Sequence, residues 1–316
     1  YGDDAYYRHR PNIGLAKGEL RILDDHFGLN GGMAGFERLD KDGTMAIFHG
    51  CGYENPSYSH FTSMAYWHTA APNSGDEYGW VGRLAGEIAP DAPPNYLGNI
   101  AARQSLAVRS AAHVPVVFDQ PARFTREAFY EERDELNRVA ETGSQSNGSR
   151  DFLLNIARSA QDASSLVRQA WKNYSSPIDY GVNSLDLPKV VSLIDAGMPT
   201  KVYYVSYRNN AFDTHVFQNN VHRRLLTYTS DAVSAFMQDL ERIGRADDVA
   251  LMIFSEFGRR VPENVNLGTD HGAANNMFVI GKQVQGGQYG ELPSLTQLNP
   301  EDNLAYTTDF LSLIHI

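Results

Sequence analysis

With a single cysteine in 316 residues, Cys51, the chain can form no intrachain disulfide and no thiolate cluster, so a metal site must rest on oxygen and nitrogen ligands. Long apolar runs are also missing. No stretch of about eighteen apolar residues occurs, so no membrane span is expected. Nor is there a basic excess: 27 Lys and Arg face 38 Asp and Glu, a net charge of -11. That balance offers nothing to neutralise phosphates and argues against a nucleic-acid partner. The first residues are not an initiator Met or a charged or apolar leader. Tyr1-Gly2-Asp3-Asp4-Ala5-Tyr6-Tyr7 reads as mid-protein sequence and predicts an upstream segment. At the other end, Thr307-Thr308-Asp309-Phe310 reads as the start of a helix that stops within a few residues, and Leu313-Ile314-His315-Ile316 as truncated or non-native sequence.

What is present is the composition of an ordinary globular protein, 42% hydrophobic and 21% charged, enough for one large core or two modest ones. Strands are expected over residues 44–49, 114–118, 201–207, 249–255 and 277–280, which are short and rich in β-branched or aromatic side chains. Helices are expected over 125–141, 151–174, 188–196 and 219–243. In the last, Val233, Phe236, Leu240 and Ile243 recur at helical spacing and Gly244 closes it, as Gly197 closes the one before. The alternation predicts the α/β class with a central, mostly parallel sheet between helices. Residues 72–82, 90–99 and 143–150 read as loops, the last as a surface insertion, so that residues 1–316 form a single domain.

Ligand-type residues gather in three places. Phe212-Asp213-Thr214-His215 follows a predicted strand, where open α/β sheets place their sites, and a carboxylate and an imidazole two residues apart can converge on one cation. Equally, Asp213 can cap the helix that follows, with His215 in its first turn. Phe254-Ser255-Glu256-Phe257-Gly258-Arg259-Arg260 follows the most apolar strand. A Glu at that depth needs a metal, an Arg or a hydrogen-bond donor; Arg259 is one such partner, and if a metal takes that place Arg259 is left to hold an anionic substrate. Gly268-Thr269-Asp270-His271-Gly272 sets an acid and an imidazole between glycines, as a ligand loop or as a turn with a chance His. The combination, rather than any one cluster, carries the signal.

An earlier segment, Asn55-Pro56-Ser57-Tyr58-Ser59-His60-Phe61, puts serines at the start of a helix. There they cap it, hold an anion or supply a nucleophile, and His60 acts beside them or packs. Cys51 is expected to be a small buried residue.

These motifs, taken in order with Gly286-Gly287, Tyr289-Gly290 and Thr307-Thr308-Asp309-Phe310, make nearly the whole chain resemble a sulfatase-like bacterial family of unknown function, domain of unknown function 1501, within the alkaline phosphatase superfamily. The resemblance implies an alkaline-phosphatase-like fold lacking its first strand and C-terminal end. It also implies metal positions at strand ends, a Ser or Thr nucleophile beside them, and export to the periplasm by a twin-arginine leader. By that analogy Asp213, His215, Glu256, Asp270 and His271 are metal ligands for Zn, Ca, Mg or Mn, Ser59 is the nucleophile, and His60 and Arg259 assist. Phe257 departs from the pattern by standing where the superfamily has a ligand. The function expected is metal-dependent hydrolysis of phosphate or sulfate esters, on a small-molecule or glycan substrate. The alternative is a non-catalytic metal-binding envelope or glycan-binding protein of the same fold.

Overall fold

All five runs read as strands are strands in the computed structural model, which describes residues 1–125, 138, 148–207 and 210–314. In chain order the helices are α1 (Asp4–His9), α2 (Ala34–Lys41), α3 (His60–Thr69), α4 (Trp80–Ile88), α5 (Gly148–Asn173), α6 (Leu187–Asp195), α7 (Gln218–Arg242) and α8 (Phe310–Ile314). The strands are β1 (Leu20–Ile22), β2 (Gly28–Asn30), β3 (Met45–Gly52), β4 (Leu97–Ile100), β5 (Val116–Phe118), β6 (Val202–Val205), β7 (Leu251–Ile253), β8 (Gly258–Arg259), β9 (His271–Gly272), β10 (Asn275–Ile280), β11 (Gly287–Tyr289) and β12 (Thr308–Asp309). The class is mixed α/β. Two compact units result: one of Tyr1–Asp76, Pro177–Leu187 and Tyr207–Ile316, the other of Glu77–Ser176 and Pro188–Ser206. No helix among the described residues is long and apolar enough to cross a membrane.

The first unit is built on β3, whose eight residues are almost all buried. The sheet runs β11-β3-β10-β7, with β12 also paired to β3. Its character corrects one expectation. β10 is antiparallel to both β3 and β7, while β11 and β12 run parallel to β3, so this sheet is mixed. The all-parallel sheet is the smaller β5-β4-β6 of the second unit. Apolar periodicity reports burial and is blind to strand direction, which connection length decides.

β4 begins at the end of the segment 90–99 read as a loop, and α4 opens in the last three residues of 72–82. Leu97-Gly98-Asn99-Ile100 lacks a β-branched run, yet all four residues are buried. At Gly98 a Cβ would stand 3.1 Å from the Thr200 side chain and 3.2 Å from that of Tyr203, so the bare backbone is what lets its neighbours close in. The helix expected over 125–141 lies outside the described residues apart from Thr125 and Arg138. The loop expected over 143–150 is likewise outside them up to 147, and Gly148–Arg150 already belong to α5.

α7 presents Val233, Phe236 and Leu240 to the core as their spacing predicts, and Gly244 takes φ +69° at its end. α2 crosses it at Gly35, where a Cβ would meet the Ser230 carbonyl oxygen at 2.3 Å, and Ser230 Oγ accepts from Phe36 N. Beside β3 and β10, Cys51, Tyr53, Trp67, Met277 and Phe310 form one buried cluster. Burial pushes the Cys51 thiol up to about 11, as expected of a packing residue. Phe310 lies face to face with Trp67 at 4.0 Å between centroids and edge-on to Tyr53 at 5.8 Å.

Phe310→Ala is expected to cost about 3–5 kcal/mol in urea unfolding of the full chain. Val182→Ala, at a position 82% exposed, should stay within about 0.5 kcal/mol. Equal effects would mean that the cluster is not the core of this unit.

Candidate metal centre

Four segments of the first unit bring imidazoles and carboxylates together. His60 opens α3, Asp213 and His215 precede α7, Glu256 follows β7, and Asp270 leads into β9, which begins with His271. β8 and β9 pair so that Arg259 stands opposite His271. In an antiparallel pair, opposite side chains share a face, so this ladder aims both at one spot.

The centre of the cluster is the Asp213 carboxylate. Its Oδ1 lies 2.8 Å from His215 Nε2, 2.9 Å from His271 Nε2 and 2.7 Å from Arg259 Nη2. His60 Nε2 is 3.3 Å from Oδ2. The two Nε2 atoms of His215 and His271 are themselves 3.0 Å apart. Burial pushes the Asp213 carboxyl up, but the hydrogen bonds from Arg259 and His271 and the positive charge around it outweigh burial and hold it well below the usual carboxylate range.

An oxygen also stands at the far side of each ring. His60 Nδ1 is 2.7 Å from Glu256 Oε1, His215 Nδ1 is 3.1 Å from Asp270 Oδ1, and His271 Nδ1 is 2.8 Å from the Tyr58 carbonyl oxygen. Each ring thus lies between two oxygens, one beside Nδ1 and one of Asp213 beside Nε2. A ring protonated on both nitrogens donates to both oxygens, whereas a neutral ring that donates from Nδ1 turns its Nε2 lone pair toward Asp213, where a cation can bind it. His60 Nε2 is a buried nitrogen with no hydrogen-bond partner.

The donors suit a metal. His60, Asp213 and His271 each place a ligand atom within 4.8 Å of the others. Ligands about 2.0–2.1 Å from a tetrahedral ion sit about 3.3 Å apart, close to the 2.8–3.3 Å found around Asp213. Imidazoles that donate their other N–H to carboxylates or carbonyls are also the usual surroundings of a metal ligand.

The expected site residues thus take distinct places. Asp213, His215 and His271 converge as expected, and His60, read beforehand as catalytic or merely packed, joins them. Glu256 and Asp270, read as ligands, face Nδ1 atoms instead: Glu256 also accepts from Ser255 Oγ at 2.8 Å, and Asp270 from Asn264 Nδ2 at 3.1 Å. The Asn264 bond leads the effects that hold the Asp270 carboxyl below its usual range, ahead of His215. Glu256 and Arg259 do not pair. Arg259 was to hold an anion, but it donates to Asp213, to Thr269 O at 2.8 Å and to Phe212 O at 3.2 Å, a guanidinium spent inside the protein. Asp213 does not cap α7, whose N-cap is Phe217. Ser59 is the N-cap of α3, yet its exposed side chain makes no capping hydrogen bond.

Several supports went unread in the sequence. Phe257 is buried with its ring 4.9 Å from that of His60 and 4.4 Å from that of His271, walling two imidazoles. Asn303, wholly buried, donates to Tyr58 Oη at 2.9 Å and so fixes the residue whose carbonyl orients His271. Lone Asn and Tyr residues far apart in sequence carry no signal of such a link.

The chain matches the family described as "Protein of unknown function (DUF1501)" over residues 195–315. The match takes in Asp213, His215, Glu256, Arg259, Asp270 and His271 but not Ser59 or His60, and is narrower than the near-complete resemblance read from the motifs. It brings with it no placement in the alkaline phosphatase superfamily. No curated protein and no solved structure matches the chain.

Because the Asp213 pKa is depressed, its contribution to stability is present above the ordinary value of 3.8 and is lost as pH falls through the folded value. Metal-free protein should therefore lose stability as the pH is lowered below about 4, and Asp213→Asn should flatten that acid limb in pH-dependent thermal melts. An unchanged acid limb in the variant would show that Asp213 is not held ionised by its neighbours.

Proposed function

We propose that the protein is a metal-dependent hydrolase of phosphate or sulfate esters, of the kind found in the alkaline phosphatase superfamily and acting outside the cytoplasm. One observation carries the reading: His60, His215 and His271 turn Nε2 toward Asp213 while acceptors hold each Nδ1–H. Three imidazole nitrogens and one carboxylate oxygen form a donor set suited to zinc, and poorly suited to calcium or magnesium, which take oxygen ligands.

His60, Asp213, His215 and His271 would hold the ion. Glu256, Asp270 and the Tyr58 carbonyl keep the rings in register, and Phe257 limits water around them. When bound, the metal supplies Lewis-acid polarisation of the ester and lowers the pKa of an oxygen nucleophile. Ser59 is the nucleophile in this reading, because it adjoins His60 and its hydroxyl is not consumed in capping. Arg259, by neutralising Asp213, keeps the site's net charge from repelling an anionic ester.

A second reading has its own support. Arg259, the residue read as the anion's holder, is spent on Asp213 and backbone carbonyls, as a non-catalytic metal-binding protein of the same fold would have it.

Elemental mass spectrometry of the folded chain is expected to find about one equivalent of zinc. It should be lost in Asp213→Ala and His271→Ala and bound roughly 10- to 100-fold more weakly in Glu256→Gln and Asp270→Asn. Folded wild type that takes up no metal would end the proposal. Ser59→Ala should keep its zinc and lose ester hydrolysis; a zinc-loaded wild type inert toward a panel of phosphate and sulfate esters would favour the second reading.

A further inference from the structure

We infer that the ester bound here carries an apolar body, an alkyl or aryl group, received by Phe61, Val216, Phe217 and Val265. This rests on the hydrolase reading and adds to it the class of substrate.

Isolated exposed apolar side chains are ordinary, whereas a group of them at one place needs an explanation. Phe61 is 87% exposed, Val216 52%, Phe217 70% and Val265 96%. Among the described residues of the first unit, Val182 alone joins them in being a large hydrophobic side chain more than half exposed. The four are not scattered. Phe61 follows His60, Val216 and Phe217 follow His215, and Val265 follows Asn264, which binds both His215 O and Asp270 Oδ1. At 3.8 Å between successive Cα atoms, each lies within about 8 Å, Cα to Cα, of His60, His215 or Asn264. The two loops that carry three of them are stitched together, Phe217 N to Asn266 O at 2.9 Å and Gln218 N to Leu267 O at 2.8 Å.

Phe217 adds a second observation. It sits at the N-cap of α7 with φ 44° and ψ 51°, left-handed backbone that a bulky residue rarely adopts, and its side chain caps nothing. Asparagine would suit both the conformation and the cap. What the phenylalanine contributes is therefore an exposed ring beside the metal centre, not a better fold.

The polar centre is open to such a molecule: the His215 side chain is 38% exposed and that of Asp270 47%. Whatever covers this surface presents a coordinating or anionic head to the centre and apolar surface to its flanks. An ester of an alkyl or aryl alcohol does both, and a free inorganic anion or a purely hydroxylated sugar does not.

The test uses the zinc-loaded full chain and non-hydrolysable probes, methyl- and octylphosphonate and the matching sulfonates, titrated calorimetrically. The octyl probe of the preferred anion is expected to bind at least about tenfold more tightly than the methyl probe. In Phe61→Ser/Phe217→Asn/Val265→Ser that ratio should fall toward one, with methyl-probe affinity, zinc content and melting temperature held. Equal affinities in the wild type, or a ratio the triple variant leaves intact, would overturn the apolar assignment and leave the ester reading standing. Failure of every probe to bind zinc-loaded protein would overturn both. Self-association of the wild type that the triple variant abolishes, with methyl and octyl probes bound equally, would give the surface to a second copy of the chain and likewise overturn the assignment.

Discussion

The convergence of three imidazoles and a guanidinium on the Asp213 carboxylate is the constraint on which the rest of the first unit's loop architecture depends. Two imidazole nitrogens and one guanidinium nitrogen lie within 2.9 Å of a single oxygen, with a third imidazole at the other. The carboxylate is stabilised by the charge and hydrogen bonds of Arg259 and by the imidazoles around it. The depressed Asp213 pKa is the expression of that stabilisation outweighing burial.

Holding three rings around one carboxylate needs an outer layer, and the structure provides one from distant parts of the chain. Glu256, Asp270 and the Tyr58 carbonyl fix the three rings, Phe257 packs against two of them, and Asn303 holds Tyr58. Close backbone approach lets the loops reach one another. At Gly258 a Cβ would stand 1.7 Å from the Ala274 carbonyl oxygen, and at Gly268 2.2 Å from the backbone of His215, so neither site tolerates a side chain without shifting. The N-terminal segment braces the far side: Arg10 donates to Val261 O and Arg260 O, and Glu263 accepts from the backbone of Asn12 and Ile13. Arg10 and Arg259 also lie near His222, whose pKa is pushed down to about 4 by burial first and then by both charges.

The strands were the most legible elements, because short apolar runs such as Met45-Ala46-Ile47-Phe48 and Met277-Phe278-Val279-Ile280 are largely withdrawn from solvent whatever their direction. α7 was readable for the same reason, its 3.6-residue period being a local consequence of one buried face. β4 was not, since Gly98 and Asn99 suit a strand only when Thr200 and Tyr203 close over them. Within the site, Asp213, His215, Glu256, Asp270 and His271 were recognisable as chemistry-bearing residues at loop positions, but their division into inner and outer groups was not. Phe257 read as a lost ligand, and its ring walls two imidazoles.

Alone, then, the sequence determined the α/β class, the position of most of the strands, the lack of any intrachain disulfide or thiolate cluster in a chain with one cysteine, and the loop positions of Asp213, His215 and His271. Those are properties of composition and short-range period. Tertiary structure decided the antiparallel placement of β10 between β3 and β7, the entry of His60 into the cluster from 153 residues upstream of Asp213, and the pairing of each imidazole with its own acceptor. Which nitrogen of a histidine faces inward depends on what stands behind its other nitrogen, and that neighbour is set by the packing of segments far apart along the chain.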